Sequence, residues 1–356
     1  MSARAGLERE ILAWMGEPVW CADEARFDSL ARRLFAFHFE HCAPFRRFCQ
    51  GRGRPPERVS SWRQIPCVPT GAFKELALRS FPEERTQKTF RTSGTSATAV
   101  RGALHLDTLA LYEASLAPAF RRHLLWDGEP LLVMTPPPEE APDSSLSHMF
   151  GALLRGAEGG FYVRGGALEA GRLIGDLSGW DAPVVLCGTA FAFVHLLDAL
   201  AAAGRRLSLA PGSRAMETGG FKGRSRELSR DALYREIEAC LGIPRERIVN
   251  QYGMTELGSQ FYDSVLLFPG EPRRKLEPPW ARVRIVDPET GEEAAPGAVG
   301  SIAVVDLANT GSVLAVQTAD LGLRAGDGFQ VLGREPGAEL RGCAIAADEL
   351  LAGAAP

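Results

Sequence analysis

Lysine is almost missing from this chain. Of its 40 basic residues only Lys74, Lys88, Lys222 and Lys275 are lysines, and none follows position 275. Acidic residues outnumber basic ones, 44 to 40, and no stretch gathers the bases into a patch. The electrostatic footprint of a nucleic-acid partner is therefore lacking. The seven cysteines, at 21, 42, 49, 67, 187, 240 and 343, include no Cys-x-x-Cys pair. An odd count without such a pair argues against a disulfide framework and against a structural zinc site. Long apolar runs are also missing. The most apolar window, 184–203, is interrupted by His195 and Asp198, so a membrane span is not expected. Residues 1–6 run into Glu8 and Glu10 with no apolar core for a signal peptide. These absences predict a soluble, cytoplasmic protein of a reducing compartment. There is no Gly-x-Ser-x-Gly elbow of a serine hydrolase, and no glycine-rich loop ends in the Gly-Lys-Ser/Thr of a P-loop.

What is present is an ordinary globular composition, 45% hydrophobic and 24% charged over 356 residues. That length suits one large α/β unit or two subdomains. Residues 7–50 read as helical, with Leu7, Ile11, Leu12 and Trp14, then Phe27, Leu30, Leu34 and Phe37 at helical spacing. From 88 to about 270 short apolar strands alternate with helices, as in Leu131–Met134 and Val184–Cys187, the pattern of a largely parallel sheet with helices on its faces. Residues 280–333 change character: Arg282–Val286, Ser301–Val305 and Phe329–Leu332 are short strands between Gly- and Pro-bearing turns. The expected domains are a helical N-terminal region (1–85), an α/β nucleotide- and acyl-binding core (86–275), a β-rich subdomain (276–334) and a short C-terminal tail (335–356).

Four motifs could carry chemistry. Arg91-Thr-Ser-Gly-Thr-Ser-Ala-Thr98 places small hydroxyl residues around a glycine, a composition that lets backbone N–H groups and hydroxyls converge on a phosphate. It reads equally as a solvated loop. Met216-Glu-Thr-Gly-Gly-Phe-Lys-Gly223 has adjacent glycines that would admit a flat ligand, or a plain turn. In Asn250-Gln-Tyr-Gly-Met-Thr-Glu-Leu-Gly258, Tyr252 could stack on a base, Thr255 could bond a phosphate oxygen, and Glu256 is a hard oxygen ligand suited to Mg2+. In Gln317-Thr-Ala-Asp-Leu-Gly322, followed by Gly333-Arg334, an aspartate could accept from a ribose diol and the arginine could donate to the same sugar.

Taken in order, Thr-Ser-Gly-Thr, Gly-Gly, Tyr-Gly-Met-Thr-Glu, Thr-Ala-Asp and Gly-Arg resemble the signature series of the ANL adenylate-forming superfamily. Within it the nearer likeness is to the LuxE-type acyl-protein synthetases of bacterial bioluminescence. That likeness is carried by Ile65-Pro-Cys-Val-Pro69, Phe73-Lys74, Leu106-Asp107, Ser144–Met149, Gly188–Phe191, Glu217–Lys222 and Arg341-Gly-Cys343, and covers residues 55–350. The fold it implies is an α/β ANL-type N-terminal domain, sheets flanked by helices plus a small β-rich subdomain. The usual C-terminal domain would be largely missing and the tail its mobile vestige.

By this resemblance Thr92, Ser93, Gly94, Thr95 and Ser96 would hold the β- and γ-phosphates of ATP. Gly219, Gly220 and Tyr252 would frame the adenine, with Gly253 also at the nucleotide. Thr255 would contact the α-phosphate, Glu256 would hold Mg2+, and Asp320 and Arg334 the ribose. A carboxylic acid, by likeness a fatty acid, would be activated as acyl-AMP. The acyl group would pass to Cys343, whose neighbour Arg341 would favour the thiolate, for delivery to a partner such as an acyl reductase. His148 falls where relatives place acyl-pocket residues, but reads as readily as a core histidine. Two departures stand out. Ser96-Ala97 with Arg101 replaces a Thr-Gly and downstream lysine, and arginine is a comparable phosphate donor with forked geometry. Larger relatives also carry a catalytic lysine beyond the Gly-Arg pair, and this chain has none there. Two other outcomes therefore stay open: transfer to CoA, a carrier protein or an amine, and a nucleotide-binding scaffold that has lost catalysis.

Overall fold

The computed structural model describes residues 3–92, 100–219, 228–287 and 290–334. The chain packs as two units that interleave along the sequence, where the sequence reading drew four consecutive stretches. One unit takes Met1–Pro118, Met254–Gln260 and Lys275–Pro356; the other takes Ala119–Gly253 and Phe261–Arg274.

The first unit opens with three helices, Ala3–Met15, Glu24–His41 and Ala43–Gly51. The second starts where the Asp23 carboxylate accepts the Arg26 N–H at 2.9 Å, an N-cap that satisfies one donor of the first turn. Phe27, Leu30, Ala31, Leu34, Phe35 and His38 then fall on its buried stripe. The helical reading of 7–50 resolves into these three helices, with a first break at 16–23, where Gly16 and Pro18 are the two residue types least tolerated in a helix interior.

This unit's sheet runs in the spatial order Ala281–Val286, Gly300–Asp306, Ala315–Ala325, Gly328–Arg334 and Lys275–Leu276, each neighbour antiparallel to the next. Val68–Pro69 lies parallel beside Ala315–Ala325. The three runs expected between 280 and 333 all fall within these strands. Every residue of Gly300–Asp306 is buried, which explains its near-continuous apolar reading, Ile-Ala-Val-Val. At Gly322, beside a register shift, a Cβ would lie 2.5 Å from the Gln330 carbonyl oxygen, so no side chain fits. A separate hairpin pairs Lys88–Arg91 with Ala103–Leu106.

The second unit is the parallel α/β layer that the alternation predicts. Its strands run in the order Phe261–Asp263, Ile248–Tyr252, Arg214–Thr218, Val185–Thr189, Leu131–Met134 and Gly159–Phe161, parallel except for the first. Helix Ala190–Ala202 is capped by Thr189, which accepts the Ala192 N–H at 3.1 Å. Helix Arg230–Leu241 is capped by Ser229 and stopped by Gly242 at φ 71°, a left-handed conformation that costs glycine little. Phe193, Leu197, Leu233, Ile237 and Leu241 bury these helices against Leu132, Leu186, Ala215 and Ile248.

His38 is fully enclosed in the first unit. Its Nε2 lies 3.0 Å from the Thr310 carbonyl oxygen, and its Nδ1 accepts the Leu314 N–H at 3.3 Å. Both contacts suit a neutral ring protonated on Nε2. Burial, with the nearby Arg4 charge, pushes its pKa down to about 3. The unfolded chain takes up a proton below the ordinary value of 6.5 that the folded chain refuses, so stability falls as pH drops from 6.5 toward 3. About 2 kcal/mol should be lost from this group by pH 5. Denaturant melts of His38→Gln should lack that share of the decline. Equal losses in parent and variant between pH 7 and 5 would mean that His38 ionises in the fold.

Candidate active site

The loop Met254–Gln260 belongs to the sheet-bearing first unit and carries Thr255 and Glu256. Its backbone is held from several directions. The Asp306 carboxylate accepts from the Gly258 and Ser259 N–H groups at 2.9 and 2.8 Å and from the Ser259 hydroxyl at 2.7 Å. The Asn309 amide donates to the Glu256 carbonyl oxygen at 2.8 Å, and the Ser115 hydroxyl donates to that of Gly258 at 2.6 Å. A Cβ on Gly258 would come within 2.8 Å of the Ala308 Cβ, so the packing demands glycine there.

Three further sequence-derived positions gather around Glu256 in the same unit. A Cβ built on Gly102 would lie 3.2 Å from Thr92 Cγ2, 3.5 Å from Glu256 Oε1 and 3.6 Å from Phe73 Cβ. A side chain there would press on Thr92 and touch the Glu256 carboxylate, so glycine lets these residues approach one another. Thr92 closes the hairpin: its N–H donates to the Gly102 carbonyl and its Oγ1 accepts the Gly102 N–H, both at 2.9 Å, while Arg101 Nε donates to the Thr92 carbonyl at 2.6 Å. The Ser/Thr/Gly loop is therefore the connection of the hairpin Lys88–Arg91/Ala103–Leu106; Ser93, Gly94, Thr95 and Ser96 lie outside the described residues. Asp320 and Arg334 stand opposite each other on paired strands, with Arg334 Nε 3.3 Å from Asp320 Oδ1.

Glu256 is only 6% exposed. Burial pushes its carboxyl up to about 7; its own backbone N–H, Arg334 and Lys74 draw it down, and Asp320 pushes it up. Lys74, noted in the sequence for the scarcity of lysine and as part of Phe73-Lys74, thus joins the charges around the site. An enclosed carboxylate of this kind is a donor suited to Mg2+, which is held through one or two carboxylates and substrate phosphates. Among the described residues no cluster of three or more His, Cys, Asp or Glu could hold a metal by itself.

In the second unit Tyr252 and Gly219 follow the same rule as ligand sites of open α/β sheets, which lie at the carboxyl ends of strands. Thr218 and Gln251 are paired on adjacent parallel strands, and Gly219 (φ 81°) and Tyr252 come next in each chain. The Thr218 hydroxyl bonds the Gln251 carbonyl oxygen at 3.0 Å and its side-chain oxygen as well. Glu217, 1% exposed, accepts from the Tyr234 hydroxyl at 2.8 Å and the Asn250 amide at 2.7 Å, so both strand ends are fixed. Gly253 is exposed. Gly220 and Cys343 lie outside the described residues, as does the whole tail 335–356. His148 sits on helix Ser145–Leu153, whose N-cap is Ser144.

The fold is that of the ANL adenylate-forming ligases, and the likenesses support an AMP-forming ligase similar to the LuxE-type acyl-protein synthetases: the family model "Acyl-protein synthetase, LuxE" matches residues 177–352, just under half of the chain. A long-chain-fatty-acid–luciferin-component ligase of Aliivibrio fischeri is 22% identical over 335 residues, 90% of this chain and 85% of that protein. One of the same name from Photorhabdus luminescens is 27% identical over 96 residues, 26% of this chain and 81% of its own. Among solved structures, an open conformation of 2-hydroxyisobutyryl-CoA ligase with 2-HIB-AMP and CoA matches at a TM-score of 0.67 and 15% identity, over 88% of this chain and 71% of that one. O-succinylbenzoate coenzyme A synthetase from Bacillus subtilis, in complex with AMP, matches at 0.50 and 16%, over 70% and 50%. These two likenesses show the shared fold. Among the described residues no helix is long and apolar enough to cross a membrane.

The raised Glu256 pKa has a cost in the ligand-free protein. Between pH 4.5 and 7 the folded chain keeps a proton that the unfolded chain has released, so this group lowers stability as pH rises through that window. Glu256→Gln removes the charge and should be more stable than the parent by about 2–3 kcal/mol at pH 8, with no gain at pH 4. Denaturant melts at the two pH values check this, and equal stabilities at pH 8 would show that Glu256 ionises without penalty.

Proposed function

We propose that this ligase activates a carboxylic acid, a fatty acid by its likeness to the luciferin-component ligases, and passes the acyl group to the thiol of Cys343. The observation that carries the reading is the gathering in one unit of Thr92, beside the Glu256 carboxylate across Gly102, and of the Asp320–Arg334 pair, whose charges act on Glu256. In the reaction a substrate carboxylate oxygen attacks the α-phosphorus of ATP. The O–P bond forms, the bond to the bridging oxygen breaks, and pyrophosphate leaves with the acyl-adenylate remaining. Negative charge accumulates on the phosphates, so fixed cations and donors aimed at them supply most of the rate enhancement. When bound, Mg2+ would neutralise part of that charge. Glu256 would hold it, and Ser93–Ser96 with Thr92 and Arg101 would take the outer phosphates. Thr255 would contact the α-phosphate, Asp320 and Arg334 would bond the ribose, and Tyr252, Gly253, Gly219 and Gly220 would frame the base.

In the second step the Cys343 thiolate attacks the acyl carbonyl carbon. A C–S bond forms, the bond to the phosphate oxygen breaks, and AMP leaves. Several other cysteines are poor candidates for this attack. Burial pushes the thiols of Cys42 and Cys67 up to about 11, and those of Cys49 and Cys187 higher still, so little thiolate exists on them at neutral pH. The thioester would then be consumed by a partner able to reduce it.

Two measurements test this. Asp320→Ala leaves a ribose diol without its acceptor, and ATP affinity by calorimetry should fall about ten- to a hundredfold; unchanged affinity would remove Asp320 from the site. Cys343→Ser should still release one equivalent of pyrophosphate with ATP and acid, yet intact-protein mass spectrometry should find no hydroxylamine-labile thioester. The serine hydroxyl is a far poorer nucleophile at neutral pH. A thioester formed as readily in the variant as in the parent would shift the acceptor to CoA, a carrier thiol or another residue. Absence of pyrophosphate release from the parent with a panel of acids would leave a scaffold without catalysis.

A further inference from the structure

Asp306, at the end of strand Gly300–Asp306, is fully enclosed. Its two oxygens accept from four donors. Oδ2 takes the Gly258 and Ser259 N–H groups, at 2.9 and 2.8 Å; Oδ1 takes the Ser259 hydroxyl at 2.7 Å and the Ala308 N–H at 3.0 Å. Asn309, three residues on, donates its amide to the carbonyl oxygen of Glu256 itself at 2.8 Å. All but the Ala308 bond act on residues 256–259, and all but that and the Ser259 hydroxyl on their backbone. None uses the Glu256 carboxylate, which is left to the field of Arg334, Lys74 and Asp320. A carboxylate that must meet a cation in a set direction needs its own backbone fixed, because the side chain retains free torsions. The groups that orient such a ligand count nearly as much as the ligand itself.

We propose that Asp306 and Asn309 are positioning residues for Glu256, holding its loop so that the carboxylate is already aimed when Mg·ATP arrives. This rests on the reading of Glu256 as the carboxylate that holds the nucleotide's cation. A clamp that served only the fold would lower stability while leaving the Mg2+ requirement of the surviving folded protein unchanged.

The discriminating measurement is the Mg2+ dependence of ATP binding by calorimetry in the absence of acid, made on the full chain, with pyrophosphate release as a second readout. In Asp306→Asn an amide NH2 must face two N–H donors or a hydroxyl and an N–H, so the loop cannot be held as before. The half-saturating Mg2+ concentration should rise about ten- to a hundredfold, while the KM for the carboxylic acid stays within about twofold of the parent. Ser259→Ala removes one bond and keeps both N–H contacts, so it should fold even where Asp306→Asn does not, with a smaller rise in the same direction. Glu256→Gln is measured beside them. If it raises the Mg2+ requirement and Ser259→Ala and any folded Asp306→Asn do not, the positioning role is overturned. If the acid KM rises in step with the Mg2+ requirement, the clamp is a fold element only and the proposal fails. If Glu256→Gln itself changes nothing, the cation-holding reading fails first, and this one with it.

Discussion

The Asp306 carboxylate and its four donors are the interaction that ties the first unit's Met254–Gln260 loop to its sheet. A buried charge is costly unless its lone pairs are filled, and here three of the four partners lie on the Glu256 loop, with Ala308 supplying the last. Burial pushes the Asp306 carboxyl up while the Ser259 hydroxyl and the three N–H groups draw it down. Charge-assisted bonds of this kind are stronger than neutral ones, and they join the loop to a strand buried along its whole length. Loop 256–259 is thereby tied to the sheet.

The same seven-residue loop holds a second enclosed carboxylate under opposite conditions. Glu256 is nearly as buried as Asp306 yet is kept near neutrality, with cations close but not paired to it. One acid spends its bonding on structure; the other keeps its capacity for a ligand. The Asp320–Arg334 pair behaves like the second. Arg334 is 62% exposed in that contact, so the pair contributes little to stability. In the other unit the residues beside Gly219 and Tyr252 are held by their own bonds: Glu217 accepts from Tyr234 and Asn250, and the Thr218 hydroxyl bonds Gln251.

Strands such as Ser301–Val305 and Leu131–Met134 were legible because fully buried strands read as unbroken apolar runs, and Glu256, Thr92 and Asp320 were legible through the order of short motifs. Asp306 and Asn309 were not. In Val304-Val-Asp-Leu-Ala-Asn-Thr310 they look like a strand end and a turn, and the Asp306 partner Ser259 is 47 positions away, beyond the reach of any local pattern. Lys74 was noticed for its rarity, but nothing nearby in sequence ties it to Glu256, 182 positions on.

Chain order has a consequence for synthesis. The parallel unit is nearly one contiguous stretch, Ala119–Gly253, and its contacts can form as soon as that stretch emerges. The other unit cannot close early. Arg4 bonds Asp107 103 positions away, His38 bonds Thr310 across 272, and the Glu8 carboxylate accepts from the Thr310 hydroxyl across 302. Contacts of such separation form slowly, since loop closure precedes any gain from them. The nascent N-terminal helices, with Phe27, Leu34 and Phe45 still uncovered, must therefore wait for Asn309 and Thr310 before their core is sealed. It is in that interval that the chain is most exposed to aggregation and to chaperone capture.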